Sequence, residues 1–446
     1  VLTRGGLARH AGPAVLVVLV AALALQWLVA MPAGQDAASY LGQLAGAEAV
    51  LLMSVAVVLV TTLPWVESWF DGIDRAAIWH RRAAIAGMVL LVPHIALSSG
   101  GGPSWAGPAG VVSVVGLTTL VVWAILPRWR SVVPAAVHPL ITAVHEWPPL
   151  RVLSRWVGDY EVWRAVHRLT GLFLAVGFAH GLGDASVFGS AQLRWTYVGV
   201  GAVGLAFYAY RELLARRGHG LRDYQVSRVE PVGADLTEIT LRPLGRPLEY
   251  RPGQFAMLHL ESRAGWARHP FTLASGPHED EVRVTVKALG DYTAAIGEEV
   301  RPGMPAVLSG PHGRFTHTKG AADQQLWIAG GVGITPFLSW MRSLREHPPA
   351  GPVDLFWSVA AEQDAPYAAE LAGIADEHPQ VTFHLVRTRT DGRLTAVGAL
   401  RAADADPGAV SVFLCGPTAM VSGLSADLRA AGVPRRAVFR EHFDWR

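Results

Sequence analysis

Residues 163–182, WRAVHRLTGLFLAVGFAHGL, are apolar enough to lie in a bilayer, yet they hold two histidines, His167 and His180. An ionisable side chain inside a membrane span is costly and by default marks a functional position. An earlier stretch, RAAIWHRRAAIAGMVLLVPHIAL, carries His80 and His94. His180 follows His167 by 13 positions, and His94 follows His80 by 14. Two apolar spans with two similarly spaced histidines each point to four ligands for two metal centres stacked across a membrane.

The apolar character is concentrated before about residue 215, and the remainder alternates as a soluble protein does. A span needs roughly 20 apolar residues. Six segments qualify: 13–31, 48–65, 76–98, 109–126, 161–182 and 195–214. The first is longer than a signal-peptide core and reads as a retained helix. Arginines set the direction. Arg75, Arg81 and Arg82 follow the second span, Arg128, Arg130, Arg151 and Arg155 lie between the fourth and fifth with Arg164 and Arg168 at the start of the fifth, and Arg211 is at the end of the sixth with Arg216, Arg217 and Arg222 after it. Stretches 32–47 and 99–108 have no Lys or Arg. Both termini are therefore expected in the cytoplasm of a multi-pass plasma-membrane protein. His80 then shares the inner level with His167, and His94 shares the outer level with His180.

At 1.5 Å rise per residue the levels stand roughly 20 Å apart, which suits two haems between the same two helices. Fourteen positions return to within about 40° of one helix face, but thirteen leave about 140° of mismatch. A distortion between His167 and His180, near Gly171 or Gly177, is expected to absorb it. Four capping or interface histidines are the bland alternative. Phe173 lies midway and either bridges the two levels or packs against lipid. His138 and His145 fall in PAAVHPLITAVHEWPP, which reads as an interfacial helix. Gly100–Gly102 and Pro103 mark an outer turn. The single cysteine, Cys415, excludes a disulfide framework, a zinc site or a cysteine-ligated cluster. The net charge of +2 gives no case for nucleic acid.

From Arg222 onward, YQVSRVEPVG, LTEITLRPL, QFAMLHLE, FTLAS, EVRVTVKAL and AVLSGPHG read as an antiparallel barrel. After Thr316, strands alternate with helices, the pattern of a parallel nucleotide-binding sheet. IAGGVGITP ends a strand in a glycine-rich turn that lets the backbone approach a pyrophosphate. The fold class is thus a multidomain membrane protein. A six-helix transmembrane bundle (1–217) is followed by an antiparallel barrel domain (218–320) and an α/β nucleotide-binding domain (321–446).

These motifs together resemble the ferredoxin-reductase-type flavoprotein module, and the chain as a whole resembles the NADPH oxidase and ferric reductase superfamily. His269, Pro270, Phe271, Thr272 and Leu273 are similar to the flavin-binding HPFT motif. The resemblance implies that the Thr272 hydroxyl reaches the reactive edge of the flavin. It puts His269 by the pyrophosphate, where soluble relatives carry Arg. Lys287, Gly290 and Thr293 resemble the flavin phosphate loop. Gly310 and Gly313 belong to a GPYG-like segment with His312 in place of Tyr. Gly330, Gly331, Gly333, Thr335 and Pro336 resemble the pyridine-nucleotide loop. Cys415, Gly416 and Pro417 resemble a CGP motif whose thiol lies near the nicotinamide. Phe443, with Trp445 as runner-up, resembles a terminal aromatic that stacks on the flavin.

The resemblance implies FAD, NADPH (or NADH) and two haem b. Ser358, Arg387, Arg389 and Arg393 favour NADPH, and Glu362 favours NADH. Electrons would run from cytoplasmic NAD(P)H through FAD and both haems to an acceptor outside: ferric chelate, oxygen or a quinone. Some oxygen-reducing relatives carry another histidine one turn beyond the outer ligand of the third helix. Ser98 stands there, which tilts the expectation toward a reductase over a dedicated superoxide-generating oxidase. A membrane sensor or scaffold that binds nucleotide without turnover is the reading from another class, and a flavin enzyme serving a cytoplasmic acceptor is a third. Calcium-binding EF-hand loops are absent from the sequence, so constitutive activity is expected.

Overall fold

A computed structural model describes residues 4–98, 105–125, 160–183, 190–214, 220–262 and 265–441. The chain divides into two compact units, Val1–Arg217 and Gly218–Arg446.

The described part of the first unit is helical. Its helices are α1 (Arg4–Val29), α2 (Ala37–Leu59), α3 (Pro64–Phe70), α4 (Ile73–Leu97), α5 (Ala106–Ile125), α6 (Tyr160–His167), α7 (Thr170–Gly183) and α8 (Ala191–Ala209). A π-helical turn, Tyr210–Leu214, extends α8. Among the described residues, four segments are long and apolar enough to cross a membrane: Ala11–Val29, Ala37–Leu59, Ala106–Ala124 and Ala165–Gly183. The six expected spans are therefore matched in part. Helix α4, which bears His80 and His94, also carries Arg75, Arg81 and Arg82 in its first half.

Boundaries differ where local chemistry decides them. The second span begins at Ala37 because Asp36 caps it, accepting from the Ser39 N–H at 2.7 Å. It stops at Leu59, and Pro64 then starts the separate helix α3.

The expected distortion in the fifth span is a break at Arg168–Leu169, just before Gly171. Leu169 donates to Val166 and Leu172 to Leu169, both three residues back. Such a turn winds about 120° per residue instead of 100°. Over four residues it supplies about 80° of the missing rotation.

Much of this unit's surface is aliphatic: Val18 is 63% exposed, Val92 68% and Val111 63%. Exposed apolar surface on this scale marks a contact with something other than water. Trp65 and Trp69 on α3, Trp105 before α5 and Trp195 on α8 are exposed as well.

The second unit opens with six antiparallel strands: β1 (Leu221–Gly233), β2 (Leu236–Pro243), β3 (Phe255–Ser262), β4 (Gly265–Thr272), β5 (Val282–Lys287) and β6 (Pro305–His312). Their order is β4-β3-β6-β1-β2-β5. The two edges meet where Ala274 N–H, just past β4, donates to Arg283 O on β5 at 2.8 Å. Inward positions alternate along each strand, so Ile239, Leu241, Leu258, Val284 and Leu308 are fully buried. Helix α9 (Asp291–Glu299) follows β5.

Five parallel strands come next: β7 (Gln324–Gly330), β8 (Val353–Val359), β9 (Val381–Arg387), β10 (Val410–Cys415) and β11 (Val438–Glu441). Helices α10 (Thr335–Met341), α11 (Ala368–Glu377), α12 (Ala396–Ala402) and α13 (Thr418–Ala430) accompany them. The order β11-β10-β7-β8-β9 runs one way from β7 through β8 to β9, then restarts on the other side of β7 with β10. One face of the sheet is aromatic, with Trp327, Phe337, Trp340, Trp357 and Phe413 all fully buried. The other is aliphatic, with Leu326, Ile328, Val412 and Leu414.

Candidate functional site

In an open parallel sheet the ligand crevice lies beyond the carboxyl ends of the strands, where strand order reverses. Here that point is between β7 and β10. The chain places Gly330–Pro336 at the end of β7 and Cys415–Pro417 at the end of β10, with Cys415 beside Ala329 in register. Glycine is required on both sides. A β-carbon on Gly333 would collide with the Cys415 carbonyl, and one on Gly416 (φ +157°) would stand 3.0 Å from the Gly330 Cα. Gly331 has φ +53° and open space where a side chain would point. The loop is held from beneath, since Trp357 donates its indole N–H to the Gly331 carbonyl at 2.9 Å. Thr335 donates its hydroxyl to Val332 O, and Pro336 starts α10. Cys415 is fully buried, and burial, helped by the charge of Glu441, pushes its thiol well above the ordinary range. It is a neutral thiol, not a nucleophile.

The flavin motif lies at the end of β4. His269 is opposite Leu258 and Thr272 opposite Phe255 on β3. Leu273 is fully buried in the barrel core, Thr272 is nearly so, and Pro270 and Phe271 are half-buried. The His269 ring stacks on Tyr292 at 3.9 Å between centroids. Tyr292 is a residue the motif reading passed over. Its hydroxyl is buried without a hydrogen-bond partner, and burial pushes its pKa up to about 12. Only the contact could have revealed it.

The expected phosphate loop has a local structure of its own. Thr293 accepts from the Leu289 and Gly290 N–H groups and so closes the start of α9. Lys287 pairs with Asp235 at 3.2 Å. Gly310 (φ +146°) and Gly313 (φ +96°) flank the buried His312, whose ring tilts against Phe255.

In the first unit the structure brings the four histidines together in the expected pairs. The His80 and His167 ring centres are 6.3 Å apart, and those of His94 and His180 are 6.0 Å apart. Two imidazoles on opposite sides of one metal, with metal–nitrogen bonds of about 2 Å, place their centres about 6 Å apart. His80 Nδ1 donates to Ala56 O at 2.8 Å, His94 Nδ1 to Gly42 O at 3.0 Å and His180 Nδ1 to Ala106 O at 2.8 Å. A carbonyl only accepts, so each of these rings carries its proton on Nδ1 and keeps the Nε2 lone pair for a metal. His167 differs: its buried Nδ1 has no partner, and Trp163 stacks on its ring at 5.0 Å. Ser98, one turn past His94, lies 3.1 Å from His94 Nδ1. Phe173 packs where Gly116 lacks a side chain. These residues fit two axial bis-histidine sites. Phe443, Trp445, His138, His145 and the turn at 100–103 lie outside the described residues.

Residues 222–330 match the FAD-binding domain family, and residues 327–425 match the oxidoreductase NAD-binding domain family. Among curated proteins, the chain is 28% identical over 236 residues to the reductase component of propane 2-monooxygenase from Rhodococcus jostii, covering 49% of this chain and 62% of that one. It is 27% identical over 227 residues to the ferredoxin–NAD(P)(+) reductase component of the naphthalene 1,2-dioxygenase system of Pseudomonas putida, covering 49% and 67%. Among solved structures, a ferredoxin NADP+ reductase from Neisseria gonorrhoeae with bound FAD and NADP aligns at TM-score 0.44 and 19% identity, over 50% of this chain and 98% of that one. The second unit of this chain is a ferredoxin-reductase-type FAD- and NAD-binding module.

Proposed function

We propose that this chain passes electrons from NADPH on one side of a membrane to an acceptor on the other, using FAD in the second unit and two b-type haems in the first. The observation that carries this reading is the double histidine pair, set in an apolar unit on the same chain as a flavin module. Nicotinamide gives two electrons together as hydride, flavin divides them, and haem iron carries them singly.

On this reading His80 and His167 hold the inner iron, and His94 and His180 the outer one. Thr272 presents its hydroxyl to the flavin edge. His269, Lys287, Gly290, Thr293, Gly310 and Gly313 surround the rest of the flavin nucleotide. The loop of Gly330, Gly331, Gly333, Thr335 and Pro336 receives the nicotinamide nucleotide's pyrophosphate. Gly416 and Pro417 form the opposite wall, and Cys415 packs beneath the nicotinamide as a neutral thiol. Phe443 lies outside the described residues, and the resemblance alone would give it the flavin-covering role. Two imidazole ligands would leave the iron no open position, so the acceptor would be reduced from outside its coordination sphere. Ser98 stands one turn beyond His94, where some oxygen-reducing relatives carry a further histidine, and this tilts the reading toward a ferric chelate over oxygen.

The test is a reduced-minus-oxidised spectrum of the purified protein, followed by NADPH oxidation in sealed inside-out vesicles loaded with ferric chelate or oxygen, with and without superoxide dismutase. The expected result is b-type bands and ferric reduction on the far side of the membrane. Absence of the bands sinks the reading. Superoxide as the main product moves it to the oxidase.

A further inference from the structure

The flavin motif and the nucleotide loop belong to different sheets, yet one short helix ties them together. Helix α10 begins at Thr335, inside the nucleotide loop. From its far end Ser339 donates to the Ser275 carbonyl at 2.9 Å, and Arg342, just beyond, donates to the Ala274 carbonyl at 2.8 Å. Ala274 is two residues past Thr272. The Arg342 side chain is only 5% exposed, and it forms a two-pronged pair with Glu370 on α11 at 2.6 and 2.8 Å. Its guanidinium carbon also lies 5.6 Å from the Tyr367 ring centre. Tyr367 in turn reaches the barrel, donating to Glu238 on β2 at 2.9 Å and standing 2.8 Å from the Thr285 hydroxyl on β5.

A bidentate arginine–carboxylate pair has fixed geometry, so the guanidinium cannot swing away from Ala274 without breaking both prongs. Burial works against the Glu370 charge, but Arg342 outweighs it and holds the carboxyl below its ordinary range. Fold stability alone does not call for a buried guanidinium at this place, paired with a carboxylate that is still 36% exposed, since apolar contacts serve that purpose as well.

We propose that Arg342, fixed by Glu370, is a positioning residue that sets the distance between nicotinamide and flavin for hydride transfer. The inference rests on the FAD and NADPH reading above. Displacement of reacting atoms by about 1 Å costs on the order of 10²-fold in rate.

The experiment is anaerobic stopped-flow reduction of the FAD-loaded full-length protein by NADPH and by its 4-deuterated form, for wild type, Arg342→Lys and Ser339→Ala. Arg342→Lys keeps the charge but loses the fork. The expected result for Arg342→Lys is hydride transfer slowed by about 10²-fold, with FAD content and NADPH dissociation constant within about threefold of wild type. Its isotope effect becomes temperature-dependent, as a loosened donor–acceptor distance requires. Ser339→Ala, which removes the weaker tie, shows the same signature at smaller amplitude. A role in folding alone would lower the melting temperature without moving the isotope effect. Hydride transfer within threefold of wild type in both variants, or loss of FAD from both, overturns the proposal. If wild type itself is not reduced by NADPH or NADH, it is the functional reading that fails, and the clamp falls with it.

Discussion

The His94 and His180 ring centres stand 6.0 Å apart, and each imidazole occupies room left by a glycine on a neighbouring helix. A β-carbon on Gly46 would come within 2.7 Å of His94 Nδ1, and one on Gly110 within 3.0 Å of the His180 ring. Gly46→Ala and Gly110→Ala therefore push the outer pair out of line and leave His80 and His167 in place. Haem content per chain is expected to fall from two to one in these variants, as in His94→Leu and His180→Leu. Pyridine haemochrome assay of the purified proteins checks this. Two haems retained in all four variants would falsify the outer-pair assignment.

Two glycines of the nucleotide loop differ in what they tolerate. At Gly333 an added methyl meets the backbone of Cys415 and Gly416, which cannot give way without moving a buried strand end. At Gly331 the space is open, and the only obstacle is φ +53°, a strain of about 1 kcal/mol for an L residue. Gly333→Ala is expected to weaken NADPH binding by about 10²-fold or more, and Gly331→Ala by about tenfold or less, with FAD retained in both. Titration of flavin reduction against NADPH concentration separates them. Equal losses would show that conformation, not close approach, governs the loop.

Much of this arrangement was legible in the sequence. Histidine spacing along two apolar segments predicted which rings face each other, because similar residue counts set the two pairs at matching levels of neighbouring helices. The glycine runs and strand alternation located the crevice. The helix break fell at Arg168–Leu169, not among the glycines. There Tyr208 donates to the Arg168 carbonyl at 2.9 Å, and Arg168 pairs with Glu212. Those contacts join residues some forty positions apart, beyond the reach of local pattern. The same holds for Trp357 under Gly331, Tyr292 on His269 and Arg342 on Ala274. Each is an ordinary side chain until the fold shows what it touches.

His317 sets an acid limit on the second unit. It is 3% exposed in the aromatic core, beside Trp327 and Trp340. Burial, with a smaller push from His347, lowers its pKa to about 4. The unfolded chain takes up this proton near pH 6.5, the folded chain only near 4, so stability is full above about 6.5 and is lost as pH falls toward 4. The loss is about 2–3 kcal/mol. Chemical denaturation of the FAD-loaded protein between pH 7 and 4 should show this slope, and His317→Gln should flatten it at the cost of lower stability at pH 7. An unchanged slope in the variant would place the acid sensitivity elsewhere.

Arg387, at the end of β9, pairs with Glu362 at 3.3 Å and with Asp391 at 3.0 Å. All three lie beyond or at the carboxyl ends of β8 and β9, the edge at which open parallel sheets bind ligands. A 2′-phosphate competes for the guanidinium, whereas a ribose hydroxyl is served by Glu362. Arg387→Ala is expected to raise KM for NADPH on the order of tenfold while leaving KM for NADH within about twofold. Glu362→Gln should do the reverse, weakening NADH and sparing NADPH. Steady-state reduction of ferricyanide with each nucleotide measures both. Parallel changes for the two nucleotides would remove this pair from nucleotide choice.

Tyr292 gives a test in which the sign of the effect carries the information. Its hydroxyl is buried without a partner, and a buried donor left unsatisfied costs about 1–3 kcal/mol. If FAD supplies that partner, the hydroxyl destabilises the flavin-free protein and strengthens flavin binding. Tyr292→Phe keeps the ring that stacks on His269 at 3.9 Å and removes only the oxygen. The variant should therefore melt higher than wild type when stripped of FAD, and bind FAD about 5- to 150-fold more weakly. Differential scanning calorimetry of the flavin-free proteins and fluorescence titration with FAD measure the two effects separately. A variant that is stabilised without FAD and binds it unchanged would mean the hydroxyl faces no flavin atom. Tyr292 would then act on the site only through its ring, by holding His269 in place.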